Sequence, residues 1–210
     1  MEVTMIEFCL VSMSLDEVRV ATETYPCNCF ADNPTVAVQG IGDSGEGFLV
    51  RSRALRELVG PEAKLYLEVM GDTCEEMVAD AHRIVAEVPG NTLVKIPACP
   101  EGYRAIRELS EAGIRSSCTA VFDVEQALLA EAAGAVCVAV YVSRLDRAGC
   151  GGMGVVHDIV TAFREIDARA MVCAASLKTP RDIERALLAG AENVTVDLAL
   201  LRQLAMSSLA

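Results

Sequence analysis

Eight short apolar runs recur along the chain, separated by longer stretches in which apolar residues return with helical spacing. The runs fall at residues 6–10, 27–30, 65–69, 93–96, 116–119, 136–140, 170–173 and 193–196. Most are rich in Val, Ile, Leu or Cys and show no strict apolar–polar alternation. A strand with one wet face would alternate. A strand covered on both faces has no need of a polar side, so these runs predict a parallel sheet buried front and back.

The intervening stretches carry helix boundaries. Thr73-Cys74-Glu75-Glu76 has the form of a capping box, and Met77, Val78, Ala81, Ile84, Val85 and Val88 follow on one helical face. Pro100 opens the next helix, with Tyr103, Ile106 and Leu109 as its buried side. Thr179 and Pro180 supply another cap and first helical position. Three helix ends repeat one device: Gly113, Gly134 and Gly190 each follow Ala and precede a strand within a few residues. Glycine there lets the chain leave the helix in a left-handed conformation. Repeated strand–helix units with short connections predict a single α/β domain, a closed (β/α)8 TIM barrel spanning 1–210. A doubly wound open sheet is the alternative, but no Gly-x-Gly-x-x-Gly stands at the first turn. The Gly/Asp/Ser-rich stretch 41–47 is the best candidate for a mobile loop.

Composition narrows the function classes. Hydrophobic residues make up 52% and charged residues 23% of 210, which excludes a disordered chain. Apolar runs such as 136–142 are too short to span a bilayer. Thirty acidic against eighteen basic residues give a net charge of −12. So acidic a chain is a poor nonspecific binder of nucleic acid or anionic membrane, and an anionic ligand would need a local cationic pocket. No secretory signal opens the sequence, so a cytoplasmic location is expected. The nine cysteines are odd in number and sit mostly in the apolar runs, which suits reduced, buried thiols. Cys27-Asn28-Cys29 lacks zinc-knuckle spacing, and His82 and His157 have no ligand-like neighbours in sequence, so neither a metal nor a cofactor is expected.

In a barrel, chemistry sits at the C-terminal ends of strands. Polar groups close successive runs there: Asp32 and Asn33, Glu68, Lys95, Thr119, Tyr141 with Arg144, then Ser176 with Lys178. A lysine pointing into a barrel loses hydration, which lowers its pKa, and a neutral amine can attack a carbonyl to form a Schiff base. Lys95 is that candidate; the alternatives are an outward lysine or a plain ion pair with Glu68. Glu68 could move a proton near the imine, and Thr119 could hold the water involved. Arg144, Ser176 and Lys178 suit a phosphate, unless they form rim salt bridges with Asp146, Asp123 or Asp182.

These segments resemble the small transaldolase family, which includes the fructose-6-phosphate aldolases. The resemblance runs through Asp32-Asn33-Pro34-Thr35, Leu67-Glu68-Val69-Met70, Val94-Lys95-Ile96-Pro97 and Thr119-Ala120-Val121-Phe122. It continues through Tyr141-Val142-Ser143-Arg144-Leu145-Asp146 and Ala174-Ala175-Ser176-Leu177-Lys178-Thr179-Pro180. It implies a class I aldolase-type barrel in which Lys95 forms a Schiff base with a ketose phosphate and Asn33 holds donor hydroxyls. Thr119 and Glu68 would bind the catalytic water; Arg144, Ser176 and Lys178 would bind the phosphate. Glu68 and Phe122 match the transaldolase branch, where the aldolase branch carries Gln and Tyr. The implied assembly is a ring-shaped homo-oligomer, pentamer or decamer, with a C-terminal helix at 198–208 packing on a neighbour.

The chain departs from the family pattern at two places. The family's first-strand Asp, used in proton transfer during carbon–carbon cleavage, is Val11 here. The usual Thr-Thr-Asn-Pro reads Ala31-Asp32-Asn33-Pro34. One strand has lost a carboxylate and its neighbour has gained one, so Asp32 is expected to stand in for the missing group across the barrel mouth. A fructose-6-phosphate aldolase-type lyase is one alternative, and Val11 with the Ala31-Asp32 change motivates another: a catalytically idle barrel that binds sugar phosphate or serves as an oligomeric scaffold. A phosphate-binding isomerase working by acid–base chemistry is a further alternative.

Overall fold

The computed structural model describes residues 6–41 and 47–206. The expected loop at 41–47 lies mostly outside that range, as do the last positions of the helix expected at 198–208. Eight strands form: β1 (Glu7–Val11), β2 (Cys29–Ala31), β3 (Lys64–Glu68), β4 (Thr92–Pro97), β5 (Ser116–Val121), β6 (Cys137–Tyr141), β7 (Met171–Ala175) and β8 (Asn193–Val196). Each pairs in parallel with the next, and β8 returns to β1, closing a (β/α)8 barrel. All eight apolar runs became strands, with ends displaced by a residue or two. At β2 the start moves by two residues, because Cys27 donates its N–H to the Tyr25 carbonyl in a turn instead of joining the sheet.

The helices follow the strands in order: α1 (Leu15–Thr24), α2 (Pro34–Ile41), α3 (Phe48–Val59), α4 (Cys74–Glu87), α5 (Pro100–Glu111) and α6 (Val124–Ala133). After them come α7 (Val142–Arg147), α8 (Gly152–Glu165), α9 (Pro180–Leu188) and α10 (Leu198–Ala205). The capping box at Thr73 and Glu76 is formed, and Thr179 and Asp182 form a second one. Gly113, Gly134 and Gly190 all have positive φ, as the repeated helix ends predict. No helix among the described residues is long and apolar enough to cross a membrane.

Because every strand is covered on both faces, the core is divided in two. The larger part lies between strands and helices, where Leu10, Phe30, Leu67, Ile96 and Val138 meet Met77, Ile106 and Ile159. The smaller part fills the barrel axis with Cys9, Cys29, Tyr66, Leu93, Cys137 and Cys173 beneath Ala31, Ala139 and Ala175. The axial thiols are free and buried; desolvation holds that of Cys9 well above the usual range, and the hydrogen bond with Cys137, followed by desolvation, does the same for Cys173. Glu7, paired with Lys64 and accepting from the Asn193 amide, closes the N-terminal end of the axis. The small alanines above leave the opposite end open.

Candidate active site

The open end lies at the C-terminal ends of the strands and encloses a cavity of about 540 Å³. Its wall contains all nine residues expected from sequence: Asp32, Asn33, Glu68, Lys95, Thr119, Tyr141, Arg144, Ser176 and Lys178. A second cavity, of about 590 Å³, lies at the opposite end between α8, α9 and the starts of β7 and β8. It holds none of the nine and lies away from the C-terminal strand ends, where a barrel places its chemistry, so its larger volume carries no functional weight.

β4 is covered on both sides, and its alternate residues enter the axis; Lys95 is one of these and is only 7% exposed. Its Nζ donates to Glu68 Oε2 at 2.8 Å and to the backbone carbonyl of Asp32. Glu68 is the register partner of Lys95 on β3, so sheet pairing alone brings the two side chains together. Lys95 therefore points inward, in the contact with Glu68 that the sequence left open as one alternative. Desolvation pulls the Lys95 pKa down, yet the negative charges of Glu68 and Asp32 and the hydrogen bond to Glu68 together raise it above the ordinary lysine value. The resting amine is therefore an ammonium in an ion pair, and burial alone does not make it a nucleophile. Its proton has an acceptor in contact, the Glu68 carboxylate.

Asp32 follows β2 directly. Its N–H donates to the Tyr66 carbonyl at 3.1 Å, and its Oδ1 accepts the Glu68 N–H at 2.8 Å, so the carboxyl lies over the β2–β3 edge. Being 2% exposed, it pays a desolvation cost that outweighs the attraction of Lys95, and its pKa is pushed up to about 7. Val11 lines the same cavity at the end of β1, where its register partner is Ala31. Asp32 is thus one step along the adjacent strand from the position that Val11 faces, not across the mouth as expected. Asn33 caps α2: its Oδ1 accepts the Val36 N–H at 2.9 Å.

On the far wall a bulge between β5 and β6 and a positive φ at Ala120 turn the chain just past Thr119. Thr119, 1% exposed, lies with Oγ1 3.1 Å from the Tyr141 hydroxyl. Phe122 packs edge-on against the Tyr141 ring, and the Arg144 guanidinium lies 4.8 Å from that ring's centre. Arg144 and Lys178 are exposed at the rim and form no ion pair among the described residues. Asp182, one of their expected competitors, is occupied: its Oδ2 accepts the N–H groups of Lys178 and Thr179. Asp146 is likewise held by the Gly152 N–H, and Asp123 by that of Gln126. Ser176 has φ +63°, a conformation fixed by its N–H donating to Thr195 Oγ1 and by Ser143 Oγ donating to its carbonyl.

Three polar cavity residues were not singled out in sequence: Thr35 in α2, and Thr195 and Asp197 at the end of β8. The signal was present: Asp197 closes an apolar strand in the same way as Glu68 and Lys95 close theirs. The geometry therefore supplies an amine with a carboxylate to deprotonate it, a hydroxyl pair beside it, and unpaired cations at the rim.

A profile of the family described as Transaldolase/Fructose-6-phosphate aldolase matches residues 12–210. The chain belongs to this family. Among its relatives, a probable transaldolase from Desulforudis audaxviator is 36% identical over 200 residues, covering 95% of this chain and 89% of the relative. A probable transaldolase from Chlorobium phaeobacteroides is 32% identical over 203 residues, covering 95% and 88%. A probable fructose-6-phosphate aldolase from Streptococcus pneumoniae is 31% identical over 189 residues, covering 90% and 84%. All nine candidate residues fall inside the span that matches the transaldolase/aldolase family.

Proposed function

We propose that the chain is a transaldolase, moving a dihydroxyacetone unit from a ketose phosphate to an aldose phosphate through a Schiff base on Lys95. One observation carries this reading: the only lysine in the cavity wall that is buried touches a carboxylate able to take its proton, in a cavity whose rim holds two unpaired cations. Glu68 takes the proton from Nζ, and the neutral amine attacks the ketose carbonyl. The hydroxyl pair of Thr119 and Tyr141 holds the water that is lost on imine formation and that later hydrolyses the imine. Arg144, Ser176 and Lys178 bind the phosphate, where guanidinium and ammonium groups are best matched to a doubly charged anion. Asn33 binds donor hydroxyls.

Reduction with borohydride in the presence of fructose 6-phosphate tests the reading. The expected product is a chain whose added mass maps to Lys95 and disappears in Lys95→Ala. A chain unmodified across a panel of ketose phosphates would exclude it. Adding an aldose phosphate separates the two family activities: a transaldolase builds a new ketose phosphate, whereas an aldolase releases free dihydroxyacetone.

A further inference from the structure

We propose that Asp32 is the base that takes the proton from the sugar hydroxyl as the carbon–carbon bond breaks. The inference rests on the Schiff-base reading above. With C2 of the ketose held as an iminium on Lys95, the C3–C4 bond breaks. Its electron pair moves through C3 onto the iminium nitrogen, leaving an enamine. C4 becomes an aldehyde, and the proton of its hydroxyl must go to a group in the cavity. When the enamine attacks an acceptor aldehyde, a new C3–C4 bond forms and the new alkoxide takes that proton back. The base therefore has to accept and return one proton per transfer, with no other reagent consumed.

Three carboxyls line the cavity. Glu68 is in contact with the Lys95 amine at 2.8 Å and is committed to the nitrogen's protons. Asp197 is exposed, and its Oδ1 caps α10 by accepting the Leu200 N–H at 2.7 Å. Neither histidine lines the cavity, and the hydroxyls of Thr119 and Tyr141 are engaged with each other. Val11, on the neighbouring strand end, has no proton chemistry. Asp32 is what remains. It is buried, its carbonyl touches the same Nζ, and one carboxyl oxygen is anchored by the Glu68 N–H, which fixes the orientation of the other. Burial without a direct ion pair keeps its charged and neutral forms close in free energy, as a reversible acceptor requires; the rise of its pKa to about 7 agrees.

The experiment compares wild type with Asp32→Asn, each reduced by borohydride in the presence of fructose 6-phosphate and weighed as intact protein. Wild type is expected to carry the reduced three-carbon fragment left after cleavage. Asp32→Asn is expected to carry the whole six-carbon ketose phosphate, because the imine forms and the bond survives, and turnover is expected to fall by about 100-fold or more. Asp32→Thr removes the carboxyl in a second way and is expected to give the same six-carbon adduct. Adding Val11→Asp to either variant returns a carboxyl to the adjoining strand end and is expected to restore the three-carbon adduct. A three-carbon adduct in the single variants with turnover within a few-fold of wild type would overturn the proposal. A wild-type chain unmodified across the same panel of ketose phosphates would overturn the Schiff-base reading itself, and this proposal with it.

Discussion

Lys95 is held between two opposed influences, and each residue around it has a separable consequence. Desolvation favours the neutral amine, while Glu68 favours the ammonium. Replacing Glu68 with Gln removes a charge that raises the lysine pKa. The imine should then form from a lower pH upward, while turnover falls by roughly 10- to 100-fold for want of a proton acceptor. Borohydride trapping followed across pH checks the first effect, and initial rates check the second. Asp32 faces the positive Lys95 from β4 and the negative Glu68 from β3. Its carboxyl ionises as pH rises through about 7, so wild-type turnover should climb across that interval. In Asp32→Asn the residual rate should lack that rise.

At the level of elements, the strand ends are positioned by contacts that leave no room for added atoms. A Cβ on Gly102, in the first turn of α5, would lie 2.0 Å from the Pro97 carbonyl oxygen and 3.2 Å from Ile96 Cγ2. Backbone cannot yield as a flexible side chain does, so α5 and the end of β4 must separate. Gly102→Ala should cost about 2 to 3 kcal/mol. It should also reduce turnover, because Pro97 is two residues beyond Lys95 on the same strand. Thr73→Ala provides the contrast. It removes the capping box of α4 outside the cavity, so about 1 kcal/mol should be lost with turnover unchanged. Thermal melts read alongside rates distinguish the two outcomes, a loss of 1 kcal/mol being about 2 to 4 °C in a chain of this size.

For the molecule as a whole, closing the barrel imposes a stability cost at the site. The folded Asp32 carboxyl has a pKa of about 7, against an ordinary value of 3.8. The fold thus binds this proton more tightly than the unfolded chain does. The stability linked to it is fully present below about pH 4 and is lost as pH rises through 7. The amount is on the order of a few kcal/mol. Urea unfolding at pH 5 and pH 8 should show wild type losing more stability over that interval than Asp32→Asn. The same variant should be the more stable chain at pH 8, while turning over more slowly. An active site that keeps a buried carboxyl near its titration point is strained in this sense: the fold tolerates a group that would be better hydrated.

Hydrophobic patterning by itself determined the eight strands, their parallel order and the barrel, because a strand buried on both faces announces itself as an unbroken apolar run and a helix end needing positive φ announces itself as glycine. Strand ends were legible for the same reason, and so were six of the seven polar terminations, with Asp197 as the omission. Closing the cylinder decided the rest. Only register places Glu68 beside Lys95 and selects the ion pair from the alternatives that the sequence left open. Only the anchoring of Asp32 by the Glu68 N–H shows that its carboxyl lies over the neighbouring strand edge and not across the mouth. The capture of Asp182 by backbone N–H groups, which leaves Lys178 unpaired, is equally invisible in one dimension. A strand is specified by its own residues, whereas the charge state of a buried group is specified by what other strands bring within a few ångströms of it.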